Sequence, residues 1–349
     1  MRDLSRRAIL LAPAAFAAAA EPVRLPKKIR VAILGFEGHT AEVLTPLNRL
    51  PDVEVVAYWD STGKTQTRLA SAKKYTDWRE MLDKEKLDIV SVTNNNGERA
   101  GAIIEAAKRK INVMAEKPLA IDKAGLSAVR HAVEANKISL GMMLPMRYEP
   151  QYLAVKKSIE SGLVGEVVQI AGQKSYKLGS RAPWFSKTAT YGGSIIWVGI
   201  HMLDLMRWTS GREFTMVGGF ETRKGRDVGE METATASVFQ LDNGGVATLR
   251  VDYFRPETAP THGDDRLRLV GTQGIVEYQA STGVTLMTAG APPKVVDLPP
   301  AQSLFIDYLN ATYNGKPPTL PVSDIYRICE VTIAAEDASS HGKMVRIAG

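Results

Sequence analysis

The chain has 349 residues, too many for one ordinary hydrophobic core, so two folded units are expected. Hydrophobic residues make up 44% and charged residues 23%, a globular balance that excludes a disordered chain. A formal net charge of +6, with no basic run interleaved with aromatics, argues against nucleic acid as a partner, and one cysteine, Cys329, excludes an intrachain disulfide or a multi-cysteine metal site.

The chain begins as an address label. Residues 1–20 have a charged start, an apolar stretch and a small-residue end at Ala18-Ala19-Ala20. The stretch is too short and too alanine-rich for a comfortable membrane span. Ser5-Arg6-Arg7 before an apolar segment resembles a twin-arginine (Tat) signal; an ordinary secretory signal with two chance arginines is the alternative. The protein is thus expected to be exported, to the periplasm or outside, by the Tat machinery. No cysteine stands near the cleavage site, so no lipid anchor is expected there.

From residue 28 to 145 the pattern alternates strand and helix. Strands are predicted at 29–35, 53–60, 87–93, 111–116 and 138–144. Helices are predicted after the first strand (Leu44 and Leu47 inward), over 99–110 and over 122–137. Near-continuous apolar strands between helices indicate a parallel sheet covered on both faces, a doubly wound Rossmann-like domain. Over 146–349 the character changes: a helix at 151–161 leads into long alternating strands, with a hairpin signal at "LDNGG" and one helix at 194–209. This second domain reads as an open, mostly antiparallel sheet. Its apolar face needs a cover, which points to a homo-oligomer, dimer or tetramer, built through that sheet.

The motifs lie at strand ends. The first turn, "AILGFEGHTAEVL", carries Gly35 and Gly38 but has Glu37 where a second glycine is usual, so Phe36 and Glu37 sit in an incomplete dinucleotide loop. Asp60 ends the second strand, 25 residues after Gly35, where an acid can bond a ribose 2′-hydroxyl and repel a 2′-phosphate. That favours NAD over NADP; the alternative is an N-cap in "DSTGK". Thr93, Asn94 and Asn95 close the third strand with groups suited to a ribose or an amide, or form a polar turn. Glu116-Lys117-Pro118 ends the fourth, at the edge where ligands of open α/β sheets bind. There the Lys117 ammonium can hold a substrate oxygen; a local ion pair is the plainer reading.

The segment "YGGSIIWVGIHMLDLMRW", read as a helix, puts Trp197, His201, Asp204 and Trp208 on one face. A histidine with an acid one turn away has the parts of an oriented general base, or fills a core between two tryptophans. Tyr176, Lys177, Arg181, Trp184 and Tyr191, in or near "SYKLGSRAPWF", are possible substrate contacts, with His262 more remote. No cluster has metal-ligand spacing, so no metal is expected.

Together "DIVSVTNN", "VMAEKPLA", "ESGLVGEVVQI", "GGSIIWVGIHMLDLMRW", "LVGTQGIVEY" and "SSHGKMVRI" resemble the Gfo/Idh/MocA family over almost the whole mature chain. The resemblance implies a Rossmann domain, an oligomerising open-sheet domain, and NAD- or NADP-linked oxidation or reduction of sugars and cyclitols. It implies that Lys117 and His201 are catalytic and that Arg147, in "MLPMRYEP", lies beside the substrate. The family usually carries an aspartate four residues before that histidine, where this chain has Trp197. Asp204 is the substitute partner within reach, and Trp197 a platform for a sugar ring. Three functions stay open: a sugar or polyol oxidoreductase with tightly held cofactor, an NAD-dependent glycosidase or sugar–sugar oxidoreductase with self-regenerating cofactor, and a non-catalytic binding protein.

Overall fold

The computed structural model describes residues 21–347, so the expected signal lies outside the described residues. Among the described residues, six strands form a parallel sheet: β1 Ile29–Leu34, β2 Val53–Trp59, β3 Lys73–Tyr75, β4 Ile89–Val92, β5 Asn112–Glu116 and β6 Leu140–Met143. Their order is β3-β2-β1-β4-β5-β6. The order reverses between β1 and β4, which opens a crevice beyond their carboxyl ends. β4 and β6 are buried along their whole length, as strands covered on both faces must be. The edge strand β3 was not expected from sequence. It is three residues long and largely exposed, too short to show a period.

The helices of this half are α1 Ala41–Leu44, α2 Trp78–Lys84, α3 Asn96–Lys108 and α4 Lys123–Asn136. Side chains of Asp77, Asn95 and Asp122 cap α2, α3 and α4 by accepting from backbone N–H groups. The helix after β1 is shorter than expected. It gives way to a tighter 3₁₀ turn, Thr45–Arg49, and buries Val43 and Pro46 where Leu44 and Leu47 were expected. Pro46 lacks the N–H that would continue the α-helical ladder.

The second domain starts at α5 Pro150–Glu160 and β7 Val167–Tyr176. It continues through α6 Thr188–Tyr191, α7 Ile200–Ser210, β8 Phe214–Thr222, β9 Ala234–Leu241, β10 Val246–Asp252, β11 Gly263–Gly271, β12 Gly274–Gln279, β13 Gly283–Thr288 and β14 Ala291–Val295. Then come α8 Leu304–Tyr313, α9 Val322–His341 and β15 Val345–Arg346. Among the described residues the sheet has nine strands, ordered β14-β13-β12-β11-β7-β10-β9-β8-β15. Its pairs are antiparallel except β7 with β10, because the chain leaves β7 through α7 and returns by the β8–β9–β10 meander. α7 and α9 cover the inner face. The outer face of β8–β10 carries Phe220 (73% exposed), Val238 (54%) and Val246 (52%).

The domain boundary is not a single cut. Leu304, Phe305, Tyr308 and Leu309 of α8 join the core beneath β1 with Ile29, Val31 and Ile33, so the chain returns to the first domain. Cys329 is buried on α9, as expected of an apolar helical position.

Candidate active site

The carboxyl ends of β1, β2, β4 and β5 bring Gly35, Asp60, Thr93 and Glu116 to one edge of the sheet. Gly35 has φ +91°, and a Cβ there would stand 2.5 Å from the Thr93 carbonyl oxygen. Only glycine lets the first turn lie this close to the end of β4. The turn is stitched down by Glu37 N–H donating to Thr93 O at 2.8 Å and by Thr93 Oγ1 donating to Gly35 O at 2.5 Å. Phe36 leaves the turn to pack edge-on against Tyr58, centroids 6.0 Å apart. At Gly38 a Cβ would meet the Glu116 carboxylate at 2.6 Å, so the end of β5 packs directly on the loop. The Glu37 carboxylate acts on Arg99, where it favours the charged guanidinium.

Asp60 is buried, and its carboxylate accepts from Thr62 N–H (2.7 Å), Thr62 Oγ1 (2.6 Å) and Gln66 Nε2 (2.6 Å). Burial opposes its charge, but those three bonds outweigh it and hold the acid below its ordinary range. Asn95 is placed differently from the expectation: its side chain is spent capping α3, accepting from Glu98 N–H at 3.1 Å. Asn94 is buried and its Oδ1 has no hydrogen-bond partner, nor has Oγ1 of Thr40 on the loop, among the described residues. A cradle that admits only glycine beside orphaned polar atoms fits a dinucleotide, which Gly35, Phe36, Glu37, Gly38, Asp60, Thr93 and Asn94 would hold.

Lys117 follows the last residue of β5 and is 2% exposed. Its Nζ donates to the Trp197 carbonyl, lies 3.4 Å from that indole's centroid, and stands 3.7 Å from Glu116 Oε1. Burial pulls the amine down to about 7; Glu116 resists this, while Arg99 and Lys174 add to it. Arg99, not anticipated from sequence, is fully buried and holds this corner. It donates to Asn94 O, to Asn96 Oδ1 at 2.9 Å, to Lys117 O at 2.9 Å and to Pro118 O at 3.0 Å.

The expected helix at 194–209 has a defect where it matters. Residues Ile195–Gly199 form a widened π turn before α7 begins at Ile200. The turn contains the Trp197 carbonyl that receives Lys117, and such defects are frequent at functional sites. It follows Gly193, at φ +139°, where a Cβ would fall 2.4 Å from the Glu336 carboxylate. Glu232 accepts from Ser194 N–H, and with Glu221 and Glu336 it forms a carboxylate cluster that no sequence spacing announced.

His201 is 5% exposed and faces the same corner. Burial, then Lys117, His39 and Lys174, drive it well below the ordinary imidazole value, so it is neutral. Its Nδ1 is buried without a partner among the described residues. The expectation that Asp204 orients His201 is therefore corrected. Both Asp204 oxygens accept from Arg147, Nη2 to Oδ1 at 2.7 Å and Nε to Oδ2 at 2.8 Å. Arg147 is corrected with it. It is fully buried, and its Nη1 donates to Thr319 O (3.1 Å) and Asp324 (3.0 Å), so four of its five N–H groups are bonded within the protein. A bidentate guanidinium–carboxylate pair of this kind holds Asp204 to Arg147 and away from His201.

Trp197, Trp184, Phe185 and Tyr191 form an aromatic wall, with Trp184 edge-on to Trp197 at 5.5 Å and 4.2 Å from Phe185. Trp184 is half-buried, and its Nε1 has no partner among the described residues. Tyr176 lies further along β7, against His262 at 5.1 Å. His39, which sequence reading passed over, bonds Glu116 and meets His201 edge-on. A histidine one residue past a glycine loop was the only signal for it.

Fold and site define a nicotinamide-dinucleotide oxidoreductase architecture. Residues 29–142 match the oxidoreductase family with NAD-binding Rossmann fold, and residues 152–277 the Gfo/Idh/MocA C-terminal domain. The chain belongs to the Gfo/Idh/MocA family. A solved structure from Thermotoga maritima, described as a candidate oxidoreductase, superposes with TM-score 0.86 at 32% identity, covering 91% of this chain and all of that one. Inositol 2-dehydrogenase of Salmonella typhimurium is 26% identical over 205 residues, 56% of this chain and 59% of its own length. The chain thus spans less than two thirds of that relative. The NAD(+)-dependent scyllo-inositol 2-dehydrogenase of Bacillus subtilis is 22% identical over 342 residues, 92% of this chain and 96% of its own length.

Proposed function

We propose that the protein oxidises a sugar or polyol hydroxyl, or reduces the matching carbonyl, with NAD as the redox partner. One observation carries this: a buried amine at about 7 and a neutral imidazole share a corner beside the glycine cradle. When bound, NAD supplies a hydride acceptor at C4 of its nicotinamide. Lys117 holds and polarises the reacting oxygen, and His201, neutral, accepts the hydroxyl proton in oxidation and returns it in reduction. Trp197 and Trp184 offer flat apolar faces of the kind that stack on a sugar ring. The Asp60 carboxylate disfavours a 2′-phosphate, which supports NAD over NADP. The inositol dehydrogenases among the relatives support a cyclic polyol.

The test is mass spectrometry of denatured protein purified without added nucleotide, followed by single-turnover assays on cyclic polyols and aldoses. Released NAD, with reduced nicotinamide growing in on mixing, is expected. Glycoside cleavage without that optical change would replace this reading with the self-regenerating glycosidase. No nucleotide, and none taken up on titration, would replace it with a binding protein.

Two further parts of this reading concern the whole molecule. The protein is exported by the twin-arginine route with its cofactor already held, which periplasmic fractionation in a Tat-deficient strain tests. A second copy covers the outer face of β8–β10. Phe220→Glu with Val238→Glu is expected to halve the mass measured by light scattering.

A further inference from the structure

The reaction described above leaves one side chain of the glycine loop without a role. His39 places Nδ1 at 2.8 and 3.1 Å from the two Glu116 oxygens, and its backbone N–H donates to the same carboxylate at 3.2 Å. So clamped, its ring meets that of His201 at 5.1 Å between centroids and 78° between planes. His201 has little else to orient it. Its Nδ1 lacks a partner among the described residues, and Asp204 is taken by Arg147. Trp197 stands where the resemblance leads one to expect the family's acid.

We propose that His39, held by Glu116, is the positioning residue of His201, fixing that ring through an edge-on contact where no carboxylate reaches it. The consequence for turnover rests on the proposed reaction; the placement of the rings does not.

The surroundings of the two rings differ in sign. Glu116 on β5, Glu42 on α1 just after the loop and Glu149 just before α5 all act on His39 or are acted on by it. His201 feels only basic groups: Lys117, His39 and Lys174. Acidic groups thus face His39, whereas the groups acting on His201 are basic and oppose its charge. The contact does two things at once. It fixes the rotation of the imidazole, and it keeps His201 in the neutral form that can take a proton. Glu116 completes the arrangement, because the same carboxylate packs on Gly38 and ties the cofactor loop to the catalytic corner.

His39→Gln tests this, since the amide can still bond Glu116 while the ring is gone. The direct readout is the NMR titration of the His201 ring in nucleotide-free protein. In the wild type that ring stays neutral through the ordinary imidazole range. In the variant its proton affinity should rise about tenfold or more, because one of the groups that oppose its charge is removed. The acid limb of the kcat profile should move to higher pH in step, with kcat falling more than KM changes. An unmoved His201 titration in folded His39→Gln overturns the proposal. Should the variant not fold, the wild type decides. A ring-to-ring nuclear Overhauser contact with a neutral His201 at about pH 6 supports it; no contact, or a protonated His201 there, overturns it. If His201 responds as expected but no polyol is oxidised, the positioning role stands and the proposed reaction fails.

Discussion

The amino group of Lys117 lies 3.4 Å from the centroid of the Trp197 indole, 80 residues further along the chain, and donates to that residue's own carbonyl. Trp197 therefore does two jobs in the space where the family usually has an acid. Its carbonyl, on the widened turn before α7, accepts a hydrogen bond from the lysine, and its ring walls the amine from water. Burial without a full counter-charge is what lowers the amine. A lysine kept near neutrality can hold a hydroxyl and release it again, which a surface lysine cannot do at the same pH.

Replacing Lys117 by Ala removes the group that would hold the reacting oxygen. Turnover is expected to fall by about 10²–10⁴-fold. The Kd for NAD should change little, because the glycine cradle lies on β1 and β4. Steady-state kinetics beside calorimetric nucleotide titration check both halves. Retention of most activity would reject the lysine's assignment.

The same lysine makes stability depend on pH. Folding lowers it from 10.5 to about 7, so between those values the unfolded chain holds a proton that the folded chain has released. The unfolded state binds more protons there, so stability rises with pH across that window. The penalty is fully present below about pH 7 and gone above about 10.5. Lys117→Met should therefore unfold at higher urea than the wild type at low pH, with the gap closing as pH rises. Urea midpoints measured across the window would show whether the gap closes.

Gly35→Ala should damage the cofactor site more than the core. The added methyl would sit 2.5 Å from the Thr93 carbonyl, on a backbone at φ +91° that side chains rarely adopt. Loss of stability of roughly 1–3 kcal/mol and loss of most NAD affinity are expected, read by thermal melts and titration. Unchanged affinity would move the dinucleotide away from this turn.

Arg147 and Asp204 separate structure from chemistry. Each is buried, and breaking such a pair from one side typically costs about 3–5 kcal/mol. Asp204→Asn and Arg147→Met are expected to lower the urea midpoint strongly while any folded fraction keeps the wild-type pH profile. A displaced profile at unchanged stability would return Asp204 to the catalytic machinery.

Much of this molecule was legible along the chain. The Rossmann strands announced themselves because doubly covered strands are apolar without a break, and β9 and β10 because a half-covered sheet alternates. Gly35 and Lys117 were singled out because strand ends and glycine turns have fixed places in that fold, and His201 because an acid lies one turn from it, while the catalytic roles came from the family resemblance. The short edge strand β3, the return of α8 to the first core and the widened turn at Ile195–Gly199 carried no periodic signal.

What the linear order could not decide was partnership. Asp204 lies one turn from His201 on paper, yet Arg147, 57 residues away, takes its carboxylate. His39 and Glu116 are 77 residues apart and share a bond. Most elements, and the residues that reach the carboxyl edge of the sheet, can be read along the chain because period and turn chemistry are local. Which charge faces which is settled by folding, because burial and Coulomb energy depend on distances that spacing does not set.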